Sequence, residues 1–279
     1  METMPNGTVQ YDVEDGVATV LLDRPETLNS MNDALMLDIQ AALARVDADL
    51  TVGVVVLTGA GRAFCAGADL NGLGSAPIGE GSETPQTDDR MDAAIAASID
   101  GMAEVFNPTM RAVRSCRVPT IARVNGAAAG GGLGLSLACD ITIAADSAFF
   151  VATFGPRLGI VPDLGSTWSL PNRIGQARAM GIAMLGDRIG APQAAEWGMI
   201  WKSVPADELD TAVAETAAVL KNTSAEAMRR IRSSISTASA RSFSDQLDLE
   251  HEHQSTLIPM NMVEGAAAFI EKREPNFTD

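Results

Sequence analysis

Residues 53–59 read Gly-Val-Val-Val-Leu-Thr-Gly, an unbroken run of apolar and β-branched side chains closed by glycine at both ends. A half-buried strand alternates apolar and polar residues. A continuous run reads instead as a strand covered on both faces, as in a parallel sheet packed under helices. The flanking sequence agrees. Residues 8–22 alternate on both sides of Asp15-Gly16, the signature of a hairpin with a two-residue turn. After a break at Pro25, Leu35, Ile39, Leu43 and Val46 recur at helical spacing.

Residues 74–90 are polar and rich in Gly, Pro and Ser, and read as a surface loop rather than a domain boundary. A helix is expected from about Asp92 to Arg117, interrupted near Pro108. Residues 120–126 and 141–146 read as further short strands, and from Asp207 onward four helical segments follow one another, at 207–222, 225–238, 243–257 and 262–273. The expected architecture is an α/β core over residues 1–205 with a helical region over 206–279.

Composition narrows the function classes. The 279 residues are 46% hydrophobic and 20% charged, the profile of a soluble globular protein. No apolar run reaches the length of a membrane span, and the first residues have neither the basic end nor the apolar core of a signal peptide. A cytoplasmic protein is the expectation. With a net charge of −16 and no basic stripe, nucleic acid is disfavoured as a partner. Cys65, Cys116 and Cys139 lack metal-site or redox spacing and read as buried apolar residues. His251 and His253, two apart, would point to different sides of a helix, so no metal site is expected.

Two glycine-rich turns follow strands. In the first, residues 57–70, Gly59 and Gly61 begin a G-x-G pattern, but Phe64 stands where a dinucleotide fingerprint needs its third glycine. No G-K-[ST] follows, so the phosphate loop fails as well, and a Rossmann dehydrogenase is disfavoured. The second turn holds Gly130, Gly131 and Gly132 ahead of the apolar "LGLSLA". Each glycine costs about 0.5–1 kcal/mol relative to Ala in a regular element. At a helix start, though, glycines expose unpaired backbone N–H groups to a ligand, and the helix dipole favours negative charge there. Close helix packing is the other reading.

Taken together, "LDRPETLNSMN", "GAGRAFCAGADL", "VPTIARVNGAAAGGGLGLSLACDITIAAD", "LGIVPDLGSTWSLPNRIG" and "EGAAAFIEKREPNF" resemble the enoyl-CoA hydratase/isomerase (crotonase) family across nearly the whole chain. The resemblance implies a ClpP/crotonase-like spiral of ββα units with a C-terminal helical region that builds homotrimers, often paired into hexamers. It implies a coenzyme A thioester as substrate, with no permanently bound cofactor. The family's oxyanion donors map onto the backbone N–H groups of Ala68 and Gly131. Coenzyme A contacts map onto Arg24, Leu28, Ala66, Ala68, Asp69 and Leu70, with Phe269 and Lys272 reaching from a neighbouring subunit. Arg24 and Lys272 would offer positive charge to phosphates on an otherwise acidic protein.

The chain departs from the family's hydratases at both water-activating glutamates, which map onto Gly134 and Gly155. Glycine can neither take up nor donate a proton. Asp163, among the apolar Ile160, Val161 and Leu164, is the remaining acid in place, where desolvation would raise its pKa toward a catalytic range. One carboxylate suits moving a proton from Cα to Cγ, so an enoyl-CoA isomerase using Ala68, Gly131 and Asp163 is the leading expectation. Asp163 could instead serve the turn, with Ser166 and Thr167 as alternative helix caps. Asp140 and Asp146 read as structural. Enoyl-CoA hydratase and a non-catalytic acyl-CoA-binding homologue stand as alternatives. A dehalogenase would want a histidine near Asp163, and a thioester hydrolase acidic partners that are not evident.

Overall fold

The computed structural model describes residues 1–69 and 89–277. Leu70 and all but the last two residues of the polar 74–90 stretch lie outside the described residues.

Strands β1 (Glu2–Thr3), β2 (Val9–Glu14) and β3 (Val17–Leu22) form an antiparallel ladder. Glu14 pairs with Val17 across Asp15 and Gly16, whose φ values of +49° and +76° are those of a type I′ turn. Helix α1 (Asp33–Ala48) is capped by the Asn32 side chain, which accepts from the Leu35 N–H at 3.0 Å. Its Leu35, Ile39, Leu43 and Val46 are all buried, as their spacing predicts.

All six residues of β4 (Val54–Gly59) are buried, and the strand lies parallel between β3 and a later strand over Thr120–Val124. After β5 (Ala63–Cys65), helix α2 (Asp89–Gly101) joins α3 (Asn107–Arg114) through a π-helical turn at Met102–Phe106. This is the interruption expected near Pro108, which lacks the N–H to continue a regular helix. The Gln40 side chain donates to the Val105 carbonyl in that turn at 3.1 Å.

A three-part unit then repeats. β6 (Thr120–Val124) and β7 (Ala127–Ala129) lead into α4 (Gly131–Ala138), while β8 (Ile141–Ala145) and β9 (Phe149–Val151) lead into α5 (Ser166–Leu185). In each unit the first strand joins a sheet that has seven strands among the described residues and the second one that has four, as β4 and β5 also do. The first sheet is completed by β11 (Lys202–Val204), the second by β10 (Ile189–Gly190), with helix α6 (Ala191–Glu196) between them in sequence. From β3 to β11 every pairing in the large sheet is parallel. The segments that follow β3, β5, β7 and β9 carry the residues singled out from sequence, apart from Phe269 and Lys272.

Helices α7 (Leu209–Leu220), α8 (Ala225–Thr237) and α9 (Phe243–Glu271) complete the chain. The segments read from sequence as separate helices at 243–257 and 262–273 are one helix of 29 residues running through Pro259. A proline inside a helix removes one hydrogen bond, and here the helix absorbs the loss without ending. Among the described residues, no helix is long and apolar enough to cross a membrane.

Candidate active site

The first two segments are riveted together. Asn29 is fully buried, and its Nδ2 donates to the carbonyls of Ala60 and Ala63 at 2.9 Å each. Its Oδ1 accepts from the Arg24 N–H at 2.9 Å. The Leu28 carbonyl accepts from the Ala66 N–H at 3.0 Å, which brings together two of the residues singled out from sequence. Met31 then forms an isolated parallel bridge to Ala68. The Met31 N–H donates to the Gly67 carbonyl at 2.7 Å, and its carbonyl accepts from the Asp69 N–H at 2.8 Å. These bonds straddle Ala68, so its own N–H is directed away from Met31.

Arg24 does more than the sequence suggested. Its guanidinium reaches Asp69 at 2.8 Å and also donates to the Ser30 carbonyl, and the two paired side chains are only 14% and 13% exposed. The cation that the resemblance offers to a phosphate is thus engaged within the protein, clamping the loop that carries Ala68.

The third segment is the glycine turn. Gly130 precedes α4 with φ +51° and ψ −122°, a conformation open in practice to glycine alone. Gly132 is needed for a different reason. A Cβ there would stand 2.2 Å from the Cys65 carbonyl oxygen, so the helix start packs backbone to backbone on β5. Gly131 begins the helix, whose eight residues are all buried. Its N–H has no intrahelical partner by position, and among the described residues neither it nor the Ala68 N–H donates to a protein acceptor. The segments that carry them are neighbours. A Cβ on Gly67 would stand 3.3 Å from the Gly131 nitrogen and 2.9 Å from the Ala129 carbonyl oxygen. The result is a pair of preorganised backbone donors, one at a helix N-terminus, suited to a developing oxyanion.

The fourth segment carries Asp163. Leu164 and Gly165 both adopt left-handed conformations, with φ +48° and +77°, and Gly165 is the residue that caps α5. The caps considered from sequence, Ser166 and Thr167, do not serve. Ser166 is the first helical residue, and its N–H donates to the Asp163 carbonyl at 2.9 Å. The Asp163 side chain makes no cap to α5. Burial pushes its carboxyl above the ordinary aspartate range, against a smaller lowering by its own backbone N–H. Leu164 ties the turn to the donors, because its Cδ1 lies 2.8 Å from where a Cβ on Gly131 would be. The sequence marked Leu164 only as one of three apolar neighbours of Asp163, and of these it alone is buried, Ile160 and Val161 being exposed. Next to this turn opens a cavity of about 330 Å³, lined mainly by apolar side chains that include Pro162, Leu170, Ala179 and Met180.

The position equivalent to the second hydratase glutamate, Gly155, is exposed, in a π-helical turn (Phe154–Leu158) of which Phe154 is buried. Phe269 and Lys272 lie at the end of α9, both exposed, with Lys272 at φ +55°. Asp140 accepts from the Thr120 N–H at 2.9 Å and pairs with Arg232, which fits its structural reading. All three cysteines are free and buried, and burial pushes the Cys65 and Cys139 thiols up to about 12. Among the described residues no cluster of His, Cys, Asp and Glu could hold a metal ion.

Comparison with known proteins fits this geometry. The sequence profile of the enoyl-CoA hydratase/isomerase family matches residues 12–279. The chain belongs to the enoyl-CoA hydratase/isomerase family. It is 40% identical to the 1,2-epoxyphenylacetyl-CoA isomerase of Escherichia coli over 95% of this chain and 96% of that one. It is 30% identical to the trans-2-decenoyl-[acyl-carrier-protein] isomerase of Streptococcus mutans, over 97% of each chain. The crystal structure of an enoyl-CoA hydratase from Bacillus anthracis superposes with a TM-score of 0.83 at 32% identity, over 97% of this chain and 98% of that one. The two-sheet repeat described above is therefore the crotonase fold.

Proposed function

We propose that this family member is an enoyl-CoA isomerase that moves a double bond from the 3- to the 2-position of an acyl-CoA thioester. The observation that carries the reading is Asp163. It is a partly desolvated carboxylate on a turn that touches Gly131, while both positions of the family's water-activating glutamates are glycine.

The chemistry follows from these groups. The ionised Asp163 carboxylate removes a proton from Cα of the 3-enoyl thioester. The electron pair moves into the carbonyl, and the resulting negative charge on the thioester oxygen accepts hydrogen bonds from the Ala68 and Gly131 N–H groups. Such donors are worth about 2.7–4 kcal/mol each by deletion. Asp163 then returns the proton at Cγ, the C3–C4 double bond becomes C2–C3, and the carbonyl re-forms. No other acid is needed, because one carboxylate is base and then acid.

In this reading the alkyl or aryl end of the acyl group occupies the apolar cavity beside Pro162. The name of the Escherichia coli relative makes aromatic thioesters worth including among the substrates tried. The oligomer is a homotrimer, alone or paired into a hexamer, with Phe269 and Lys272 of one subunit serving a neighbour's coenzyme A.

The test is NMR of 3-enoyl-CoA thioesters in D₂O with the wild type and Asp163→Asn. Formation of the 2-enoyl product or Cα exchange by the wild type, lost in the variant, supports the isomerase. Water addition to 2-enoyl-CoA without migration would favour a hydratase. Tight binding with no exchange on short, long and aromatic thioesters would leave a non-catalytic acyl-CoA-binding protein.

A further inference from the structure

Gly134 sits in the middle of the buried helix α4, where glycine is a poor choice unless something crowds it. What crowds it is the turn that holds Asp163. A Cβ on Gly134 would stand 2.7 Å from the Leu164 carbonyl oxygen and 3.0 Å from the Leu164 Cβ. The first of these is backbone, so it cannot swing aside as a side-chain tip can. Ser166 Oγ would be 3.1 Å away on the same side, and this hydroxyl is fully buried with no hydrogen-bond partner among the described residues. One turn earlier, Gly131 leaves room for the Leu164 Cδ1. The glycine face of α4 is thus a seat for residues 164–166, and the left-handed Leu164-Gly165 pair is the shape that fits it.

We propose that Gly134 is a positioning residue: its missing side chain lets the Leu164 carbonyl close on α4, and that closure fixes Asp163 beside the Gly131 donor. Any side chain at 134 lifts the turn away from the helix. The proposal rests on the isomerase reading for its kinetic consequence. It also makes a carboxylate at 134 and a seated Asp163 mutually exclusive on this backbone. A glutamate introduced there would therefore displace the isomerase base without producing a working hydratase.

The experiment compares Gly134→Ala with Gly181→Ala, a helical glycine on α5 whose added Cβ would meet nothing within 4 Å. Three quantities are read: kcat for double-bond migration, KM, and the Asp163 carboxyl pKa from ¹³C NMR of aspartate-labelled protein, assigned with Asp163→Asn. The expected result for Gly134→Ala is a kcat lower by roughly 10²-fold, the scale of a well-placed general base. KM should be nearly unchanged, and the Asp163 carboxyl should titrate closer to the ordinary aspartate range. Gly181→Ala should behave as wild type. A wild-type kcat and an unmoved Asp163 titration in Gly134→Ala would overturn the proposal. So would Gly134→Glu that hydrates 2-enoyl-CoA while still moving double bonds.

Should Gly134→Ala not fold, Leu164→Gly tests the same seat by removing atoms. It loosens the left-handed turn, and should lower both kcat and the Asp163 carboxyl pKa; a wild-type kcat with an unmoved Asp163 titration would overturn the proposal. Failure of the isomerase reading is separately visible. The wild type would then show no migration, while the carboxyl titration still reports whether position 134 sets Asp163.

Discussion

Arg24 and Asp69 meet at 2.8 Å across 45 residues of sequence, and their ion pair locks together the loops on either side of Ala68. Both side chains are largely buried, so removing one partner strands a charge in the interior, which costs about 3 kcal/mol or more. Arg24→Gln should therefore lower thermal stability and loosen the Ala68 N–H, the oxyanion donor of the proposed chemistry. The carbonyl Raman band of a bound thioester should shift back toward its value in water, and kcat should fall more than KM rises. If KM alone rises and the band stays put, Arg24 serves the coenzyme A phosphates as the sequence suggested.

The adjacent glycines of the second turn should fail in different ways. Gly132→Ala drives a Cβ into the Cys65 carbonyl oxygen at 2.2 Å, a backbone clash that nothing local can relieve. Overpacking of this kind costs roughly 1–3 kcal/mol or more, and the variant should be poorly folded by thermal melting. In Gly131→Ala the atoms nearest the new Cβ are the Leu164 Cδ1 and the Met31 Sδ, at 2.8 and 2.9 Å, which belong to side-chain ends that can move. It should fold, yet lose about 10²–10³-fold in kcat as the donor and the Asp163 turn shift. Equal melting temperatures for the two variants would contradict this division.

What the sequence made legible were the elements with strong local signals. The Asp15-Gly16 hairpin, the buried strand at 54–59, the α1 face and the helix opening at Gly131 all have a pattern that neighbouring residues enforce. The short strands β5 and β7 were hidden inside what read as loops. Ala63–Cys65 and Ala127–Ala129 have too few residues for a period and too little β-branching. They become strands by pairing with each other and, for β7, with β9. The site shows the same split. Asp163 and the glycines could be named from sequence, but the Arg24–Asp69 pair and the Leu164 seat arise from contacts between distant segments.

Asp38 makes acid sensitivity a property of the N-terminal ladder. Fully buried on α1, it accepts from the backbone N–H groups of Asn6 and Thr8 and from both of their side chains, at 2.7–2.9 Å. Desolvation raises its carboxyl pKa, but these four bonds outweigh it and hold the group below the usual range. A depressed native pKa gives stability that is complete above the unfolded value, near pH ~4, and lost as pH falls through the native one. Asp38→Ala should lower stability by roughly 3 kcal/mol at neutral pH by leaving buried donors unpaired. Thermal melts from pH 7 to pH 3 should show the wild type converging on the variant. A constant gap across that range would contradict the assignment.

Asp163 has the opposite sign. Burial raises its native pKa, so the ionised form is disfavoured in the folded protein relative to the unfolded chain. The penalty is absent below the unfolded aspartate value and grows as pH rises through the raised native value. Asp163→Asn should therefore melt higher than wild type at neutral pH, with the advantage shrinking as pH falls toward 4. Under the proposed isomerase chemistry activity runs against stability: Asp163 must be ionised to act as base, so kcat/KM should fall on the acid side with an apparent pKa above that of an ordinary aspartate. The same variant should lose about 10²–10⁴-fold in migration rate. Melting curves and a pH–rate profile on one 3-enoyl-CoA check both limbs. An Asn variant that is less stable than wild type at every pH would show that the carboxylate supports the turn instead of straining it.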